Sequence, residues 1–385
     1  MHKLLVLPAE HNLLGGMTVS LSHLIKGFEQ CGVSEQLCVL VRADTLLEQY
    51  LRQAGQASCM QPIAARSNRQ FMQHALRWVG QQPPAWPLLM ECCDARQVLP
   101  VVALAAPALR LSKRPIYHFF RDLARSYNPL GNLLRKLTFA CLSPSAICNS
   151  QFTAKHIQQS LVPEIRGILH PPIDTQDFNN CPPSTPAPAE LQPILRTGAR
   201  LMLTPSRITE SGKVNDKNLR SLLPILAQLK ATGHHYHGVI VGQDYSPGQT
   251  LSRALLEQAA RLELTDRFTI LPPTFAIKDY YKYADVVVTL APREPFGRTV
   301  VEAIACGVPV VGSKTGGIGE ILHNFAPQWT VDPNDPVAAA EAIVRIAADP
   351  NTANILDRGR CWIETYCNVV SYARQIVEIT GLNSN

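Results

Sequence analysis

Missing from the 385 residues are a CxxC pair, an apolar run long enough to cross a bilayer, and a G-x-G-x-x-G after the first apolar stretch. Each absence excludes something. Without CxxC, the eleven cysteines offer no paired metal or redox spacing; Cys92 and Cys93 are adjacent and the others scattered. Their odd number points to free thiols in a reducing compartment. The longest apolar run, Val98 to Leu109, is broken by Pro100 and Pro107. It falls short of the ~20 residues a spanning helix needs. The opening "LLVLPA" is too short for the apolar region of a signal peptide. These features predict a cytoplasmic protein, with peripheral attachment at the inner membrane face left open. The missing glycine fingerprint argues against a nicotinamide oxidoreductase.

What is present is a rhythm. "KLLVLPA" reads as a buried strand, followed by Gly15-Gly16 and an amphipathic helix from Met17 to Gln30 that Cys31-Gly32 stop. "QLCVLV", "PLLME", "PIYHFF" and "SAICN" read as further strands with helical stretches between them. Residues 171–193 are rich in Pro, Asn and Ser, lack any period and read as a linker. The rhythm restarts with "RLMLTPS", "GVIVG", "RFTIL", "DVVVTLA" and "VPVVGS", and helical patterns fill 335–380. The expected fold class is α/β, with two doubly wound, Rossmann-like domains facing a cleft. Residues 1–170 are expected to form the N-terminal domain and 194–360 the second. Residues 361–385 form a terminal helix placed to cross back to the first domain.

The chemistry concentrates in "REPFGRTVVEAIACGVPVVGSKTGGIGEIL", residues 293–322. A helix opens at Arg298 or Thr299, bears Val300, Val301, Ile304 and Ala305 on one face, and ends at Gly307 before Pro309. Its first amides lack partners and suit a phosphate. Yet Glu294 lies just before that terminus and Glu302 just inside it. Gly316-Gly317 read as a turn after the next strand, exposing amides and admitting close backbone approach. A nucleotide sugar reconciles these features. Its diphosphate suits the amides, while carboxylates, which only accept, suit vicinal hydroxyls of the sugar and the ribose.

Glu294, seven residues, Glu302 and then "ACGVPVVGSKTGGIGE" resemble the signature of the group 1 (family 4) retaining glycosyltransferases of GT-B fold. Weaker pieces extend the resemblance over nearly the whole chain: Gly15-Gly16 as a glycine-rich donor loop, "ICNSQFT" at Asn149-Ser150, "PPID" ending at Asp174, and "PSRI…DKNL". The resemblance implies that Arg207 and Lys217 neutralise the leaving diphosphate. It implies that Glu294 binds hydroxyls of the donor sugar and Glu302 the ribose. Phe296, Gly297 and Thr299 would contribute backbone amides. No metal and no cofactor is implied beyond the nucleotide diphosphate sugar donor, and the acceptor is a hydroxyl compound. Two departures stand out. The Arg-to-Lys segment is long, so Lys213 competes with Lys217, and "KNL" as a helix opening favours Lys217. Where the family often has His-Asp, "YHFFRD" offers Arg121-Asp122, so either Arg121 or His118 fills that sugar- or acceptor-side position. A non-catalytic nucleotide-sugar-binding or scaffold protein is the rival reading.

Charge is uneven. Residues 1–170 have 17 Lys and Arg against 9 Asp and Glu, whereas 171–385 have 19 against 21. Residues 110–136 hold seven basic residues (among them Arg125, Arg135 and Lys136) and one acid, Asp122. No nucleic-acid motif accompanies them. The segment is expected to face the acceptor side and to recruit an anionic partner, such as a lipid-linked acceptor at an anionic membrane.

Overall fold

The structure, a computed structural model, describes residues 2–9, 11–12, 16–91, 93, 95–124, 128–183, 186–209 and 216–382. Gly15, Lys213 and Arg125 lie outside them. The chain divides into two compact units: Met1–Ile173 with Tyr366–Asn385, and Asp174–Thr365.

The first unit is built on seven parallel strands: β1 (Leu4–Pro8), β2 (Leu37–Arg42), β3 (Met60–Ile63), β4 (Leu88–Glu91), β5 (Ile116–Phe120), β6 (Ser145–Cys148) and β7 (Ile165–Ile168). Their order is β3-β2-β1-β4-β5-β6-β7. β1 shows why this sequence makes such a sheet. Side chains of a strand alternate between faces. Leu4 and Val6 enter a core with Phe28 and Tyr372. Leu5 and Leu7 enter the opposite core with Phe71 and Val102. Both faces are covered, so the strand is apolar throughout. Helix Gly16–Gln30 and the C-terminal helix Val369–Thr380 lie on the first face. They meet closely at Gly27, where an added Cβ would stand 2.3 Å from the Val369 carbonyl oxygen.

Helix Leu99–Leu111, on the second face, accommodates both prolines of the longest apolar run. Pro100 sits in its first turn, where no amide partner is lost. Pro107 lies inside the helix on an exposed side. Among the described residues no helix is long and apolar enough to cross a membrane.

The second unit has six parallel strands: β8 (Arg200–Pro205), β9 (Tyr236–Val241), β10 (Phe268–Leu271), β11 (Val286–Thr289), β12 (Val310–Ser313) and β13 (Thr330–Val331). The order β10-β9-β8-β11-β12-β13 reverses direction between β8 and β11. In doubly wound sheets ligands bind beyond the carboxyl ends of the strands at such a reversal. The loops after β8, β11 and β12 hold most of the residues that sequence singled out.

Candidate active site

The loop after β11 runs through Glu294-Pro295-Phe296-Gly297 into helix Arg298–Ala305. Gly297 caps that helix at φ 107°, a conformation open to glycine, and, lacking a side chain, supplies no side-chain cap. The Val300 amide of the first turn donates to the Gly297 carbonyl at 2.9 Å. Phe296 is buried and roots the loop, while Thr299 is partly exposed.

Lys217, in the segment after β8, reaches this loop. Its Nζ lies 2.5 Å from Glu294 Oε2, and the two side chains are 23% and 21% exposed. The lysine is held by its neighbours. Asp216 Oδ1 accepts the Asn218 amide at 2.8 Å, and Asn218, buried at φ 52°, donates through Nδ2 to the Pro333 carbonyl at 2.5 Å. Arg207 follows the end of β8, is exposed and makes no ion pair among the described residues. The structure thus brings Lys217 to Glu294 and leaves Arg207 turned to solvent.

Glu302 is nearly buried on the same helix. Its Oε1 takes a 2.6 Å bond from Arg298 Nε, and its Oε2 a 3.0 Å bond from the Tyr281 hydroxyl. Burial, and then the Glu302 carboxylate beside it, raise the Tyr281 phenol well above its ordinary value, so it stays a donor. The same two causes push the Cys306 thiol up to about 12. A carboxylate has about four acceptor sites, so Glu302 retains accepting capacity beyond these two bonds. Sequence reasoning missed both partners. Arg298 was findable from the i, i+4 spacing to Glu302; Tyr281, 21 residues upstream, had no such signal.

Gly316-Gly317 open helix Gly316–His323 rather than a free turn. Their work is steric. A Cβ on Gly317 would stand 2.3 Å from the Phe296 carbonyl oxygen, and one on Gly316 2.9 Å from that of Glu294. The Gly317 amide, expected to be open to a ligand, donates to the Glu294 carbonyl at 2.7 Å. The glycines therefore let one helix start press against the loop that presents Glu294.

In the first unit, Gly16 is exposed at the start of its helix. His118 has no exposed surface: its ring packs on Phe120 and Phe139, and Nε2 accepts the Cys93 amide at 3.2 Å. The structure places it in the interior, away from any surface a sugar or acceptor could touch. Arg121 donates to Glu91 Oε1 at 2.7 Å and to the Tyr372 hydroxyl at 3.2 Å, above the Phe119 ring. The basic segment is also less of a surface than its charges imply. Arg114 is buried and donates to the carbonyls of Trp86, Val79 and Gln82, and Arg135 is buried too.

Residues 204–359 match the family model of glycosyl transferases group 1. The D-inositol 3-phosphate glycosyltransferase of Mycolicibacterium vanbaalenii is 33% identical over 190 residues, 48% of this chain and 41% of that protein. Its namesake from Salinispora tropica is 35% identical over 123 residues, 31% of this chain and 26% of that protein. The chain thus spans less than half the length of these curated relatives. Anabaena Alr3699/HepE, solved in complex with UDP and glucose, superposes with a TM-score of 0.77 over all of both chains at 20% identity. A glycosyltransferase from Rickettsia africae does so at 0.74, over 99% of this chain and 98% of its own, at 16% identity. The fold is GT-B, with two Rossmann-like domains.

Proposed function

We propose that the protein is a retaining glycosyltransferase that moves a hexose-type sugar from a nucleotide diphosphate sugar to a hydroxyl acceptor, without a metal. The observation that supports it best is the meeting of Lys217 and Glu294 beside the helix that starts at Arg298. A cation, a carboxylate and a helix N-terminus there match a diphosphate joined to a sugar.

In this reading Arg207 and Lys217 stabilise the charge that develops on the diphosphate as the glycosidic bond breaks. Glu294 orients the sugar hydroxyls and Glu302 the ribose. The amides near Phe296, Gly297 and Thr299 hold phosphate oxygens, and Gly316 and Gly317 keep the Glu294 loop in place. The glycine pair Gly15-Gly16 supplies the donor loop of the first domain, with Arg121 on the sugar or acceptor side. Transfer occurs on one face of the sugar, with the leaving phosphate oxygen assisting removal of the acceptor proton. Retention follows because the new bond forms on the face the nucleotide leaves. A neighbour solved with UDP supports a uridine nucleotide. The acceptor is lipid-linked and met at the inner membrane face, in cell-surface polysaccharide or glycolipid synthesis.

Thermal-shift titration with UDP, GDP, ADP and their sugars tests the donor, because a ligand of the native state raises the melting point by mass action. One nucleotide class is expected to stabilise, and its sugar to be hydrolysed slowly without acceptor. Binding without any hydrolysis or transfer would favour a non-catalytic binding protein.

A further inference from the structure

We propose that helices Leu99–Leu111 and Pro129–Leu142 together form a docking surface for an anionic lipid bilayer. This deepens, and for its biological purpose rests on, the proposed encounter with a lipid-linked acceptor. The surface itself is read from exposure and charge.

The two helices lie side by side: Arg110 Nη1, near the end of the first, donates to the Cys141 carbonyl near the end of the second at 3.2 Å. Each buries one face. Val102, Ala106 and Leu109 of the first enter the core, as do Phe139 and Leu142 of the second. The opposite faces are apolar too, which a solvated helix avoids. Leu104 and Leu111 are each 81% exposed, and Leu130, Leu133 and Leu137 are 73%, 52% and 60% exposed. Spacings of seven within the first helix, and of three and four within the second, put each set on one stripe. Pro107 and Ala108 fill out the first face and Ala140 the second, leaving Lys136 among the exposed residues of that face. Exposed leucines are unremarkable singly; clustered on adjacent helices they mark an interaction site.

Charge identifies the occupant. From residue 95 to 163 the chain has nine Lys and Arg and a single acid, Asp122. Neither helix contains an acidic residue. Arg110, Lys113 and Lys136 are the exposed cations on and beside the leucine faces. An aliphatic face with basic residues at its rim is the pattern of helices that lie in a bilayer interface. Leucines enter the acyl boundary, while Lys and Arg stems reach back to anionic headgroups. A protein partner fits less well, because binding hot spots favour Trp and Tyr, and no exposed aromatic occurs on these faces.

The full chain should be sedimented with vesicles of phosphatidylglycerol and phosphatidylcholine, and with phosphatidylcholine alone. Two variants accompany it: Leu104→Ser/Leu133→Ser/Leu137→Ser, and Arg110→Gln/Lys113→Gln/Lys136→Gln. All altered side chains are exposed, so thermal unfolding should match wild type. Wild type is expected to bind the anionic vesicles at least tenfold more tightly than the neutral ones, with binding falling as salt shortens the screening length to ~3 Å at 1 M. Each variant should lose at least tenfold. Equal binding to both vesicle types, or unchanged binding by both variants, overturns the proposal. So does a lipid-free dimer that the leucine variant abolishes, which would assign the face to a second copy of the chain. Donor hydrolysis in solution requires no vesicle, so the docking surface and the proposed reaction fail separately.

Discussion

Lys217 Nζ and Glu294 Oε2 stand 2.5 Å apart although 77 residues separate them in the chain. Each is the other's counter-ion until a ligand arrives. In the proposed reading a donor's diphosphate would compete with Glu294 for Lys217, and its sugar hydroxyls with Lys217 for Glu294. On that reading the pair would oppose donor entry from both sides. Glu294→Gln should free the lysine and leave nucleoside diphosphate affinity equal or higher, while slowing transfer. Lys217→Ala should lower both affinity and turnover, the latter more than tenfold. Glu302→Ala should weaken nucleotide binding, because its carboxylate is assigned to the ribose. Calorimetric titration of the three variants separates these roles, and equal losses in Glu294→Gln and Glu302→Ala would refute the division.

Arg207 is exposed and without an ion pair among the described residues, so its removal should leave the fold intact. If it stabilises the leaving diphosphate, Arg207→Ala should cost turnover roughly 2.7–4 kcal/mol, the effect of deleting one transition-state donor. The melting point should stay within about a degree. A variant with wild-type turnover would remove Arg207 from the mechanism.

Gly317→Ala forces a methyl to within 2.3 Å of the Phe296 carbonyl oxygen, a backbone atom that cannot swing away. Overpacking of this kind costs typically 1–3 kcal/mol, and here the displaced segment is the one presenting Glu294. Stability and donor affinity should fall together. Gly80→Ala is the control: it ends a helix in the first unit and nothing lies within 4 Å of its added Cβ. It should be neutral, or stabilising by up to about 1 kcal/mol through the unfolded chain. Denaturant unfolding with parallel nucleotide titration distinguishes the two variants.

The strands that the sequence revealed and those it hid differ in position. β1, β4, β8, β11 and β12 are central, and each carries a run of at least two consecutive buried apolar residues. The three that escaped, β3, β7 and β13, are sheet edges. "MQPI" contains a proline, "IRGI" a glycine and an arginine, and "TV" has two residues. Edges bury less and tolerate such residues. The site divides similarly. Glu294 and Glu302 were legible because one contiguous segment holds both. Tyr281 and Asn218 were not, because they act through contacts made only in the fold. Charge misled most: in sequence, Arg114 and Arg135 look like a basic surface, yet both are buried. The leucine stripes beside them carried no notice, since apolar residues on helices are normally core.

Glu91 is fully buried and its charge faces the Arg121 guanidinium, which also meets Tyr372 on the C-terminal helix. Removing one member of a buried pair strands the other. Glu91→Ala should destabilise by about 3–5 kcal/mol, and Tyr372→Phe by about 1 kcal/mol. Replacing both charges, with Glu91→Leu and Arg121→Met, should recover most of the loss. Urea unfolding measures all three. A double variant no better than Glu91→Ala would show that the pair does more than neutralise itself.

His118 supplies a prediction with a defined sign. Burial holds its imidazole down to about 3, against an ordinary value near 6.5. Nε2 accepts from Cys93, so the neutral ring bears its proton on Nδ1. Between pH 6.5 and pH 3 the unfolded chain takes up a proton at this site that the folded chain refuses. Stability is therefore full above pH 6.5 and falls as pH drops, by up to ~1.4 kcal/mol per pH unit. At pH 5 the loss from this residue is about 2 kcal/mol. His118→Gln keeps an acceptor for the Cys93 amide and removes the titration. Its stability should fall less between pH 7 and pH 5 than that of wild type, by about 2 kcal/mol. His237, also lowered chiefly by burial, is present in both proteins and cancels in the comparison. Urea unfolding at the two pH values provides the test, and parallel pH dependences would mean that His118 becomes protonated in the folded state.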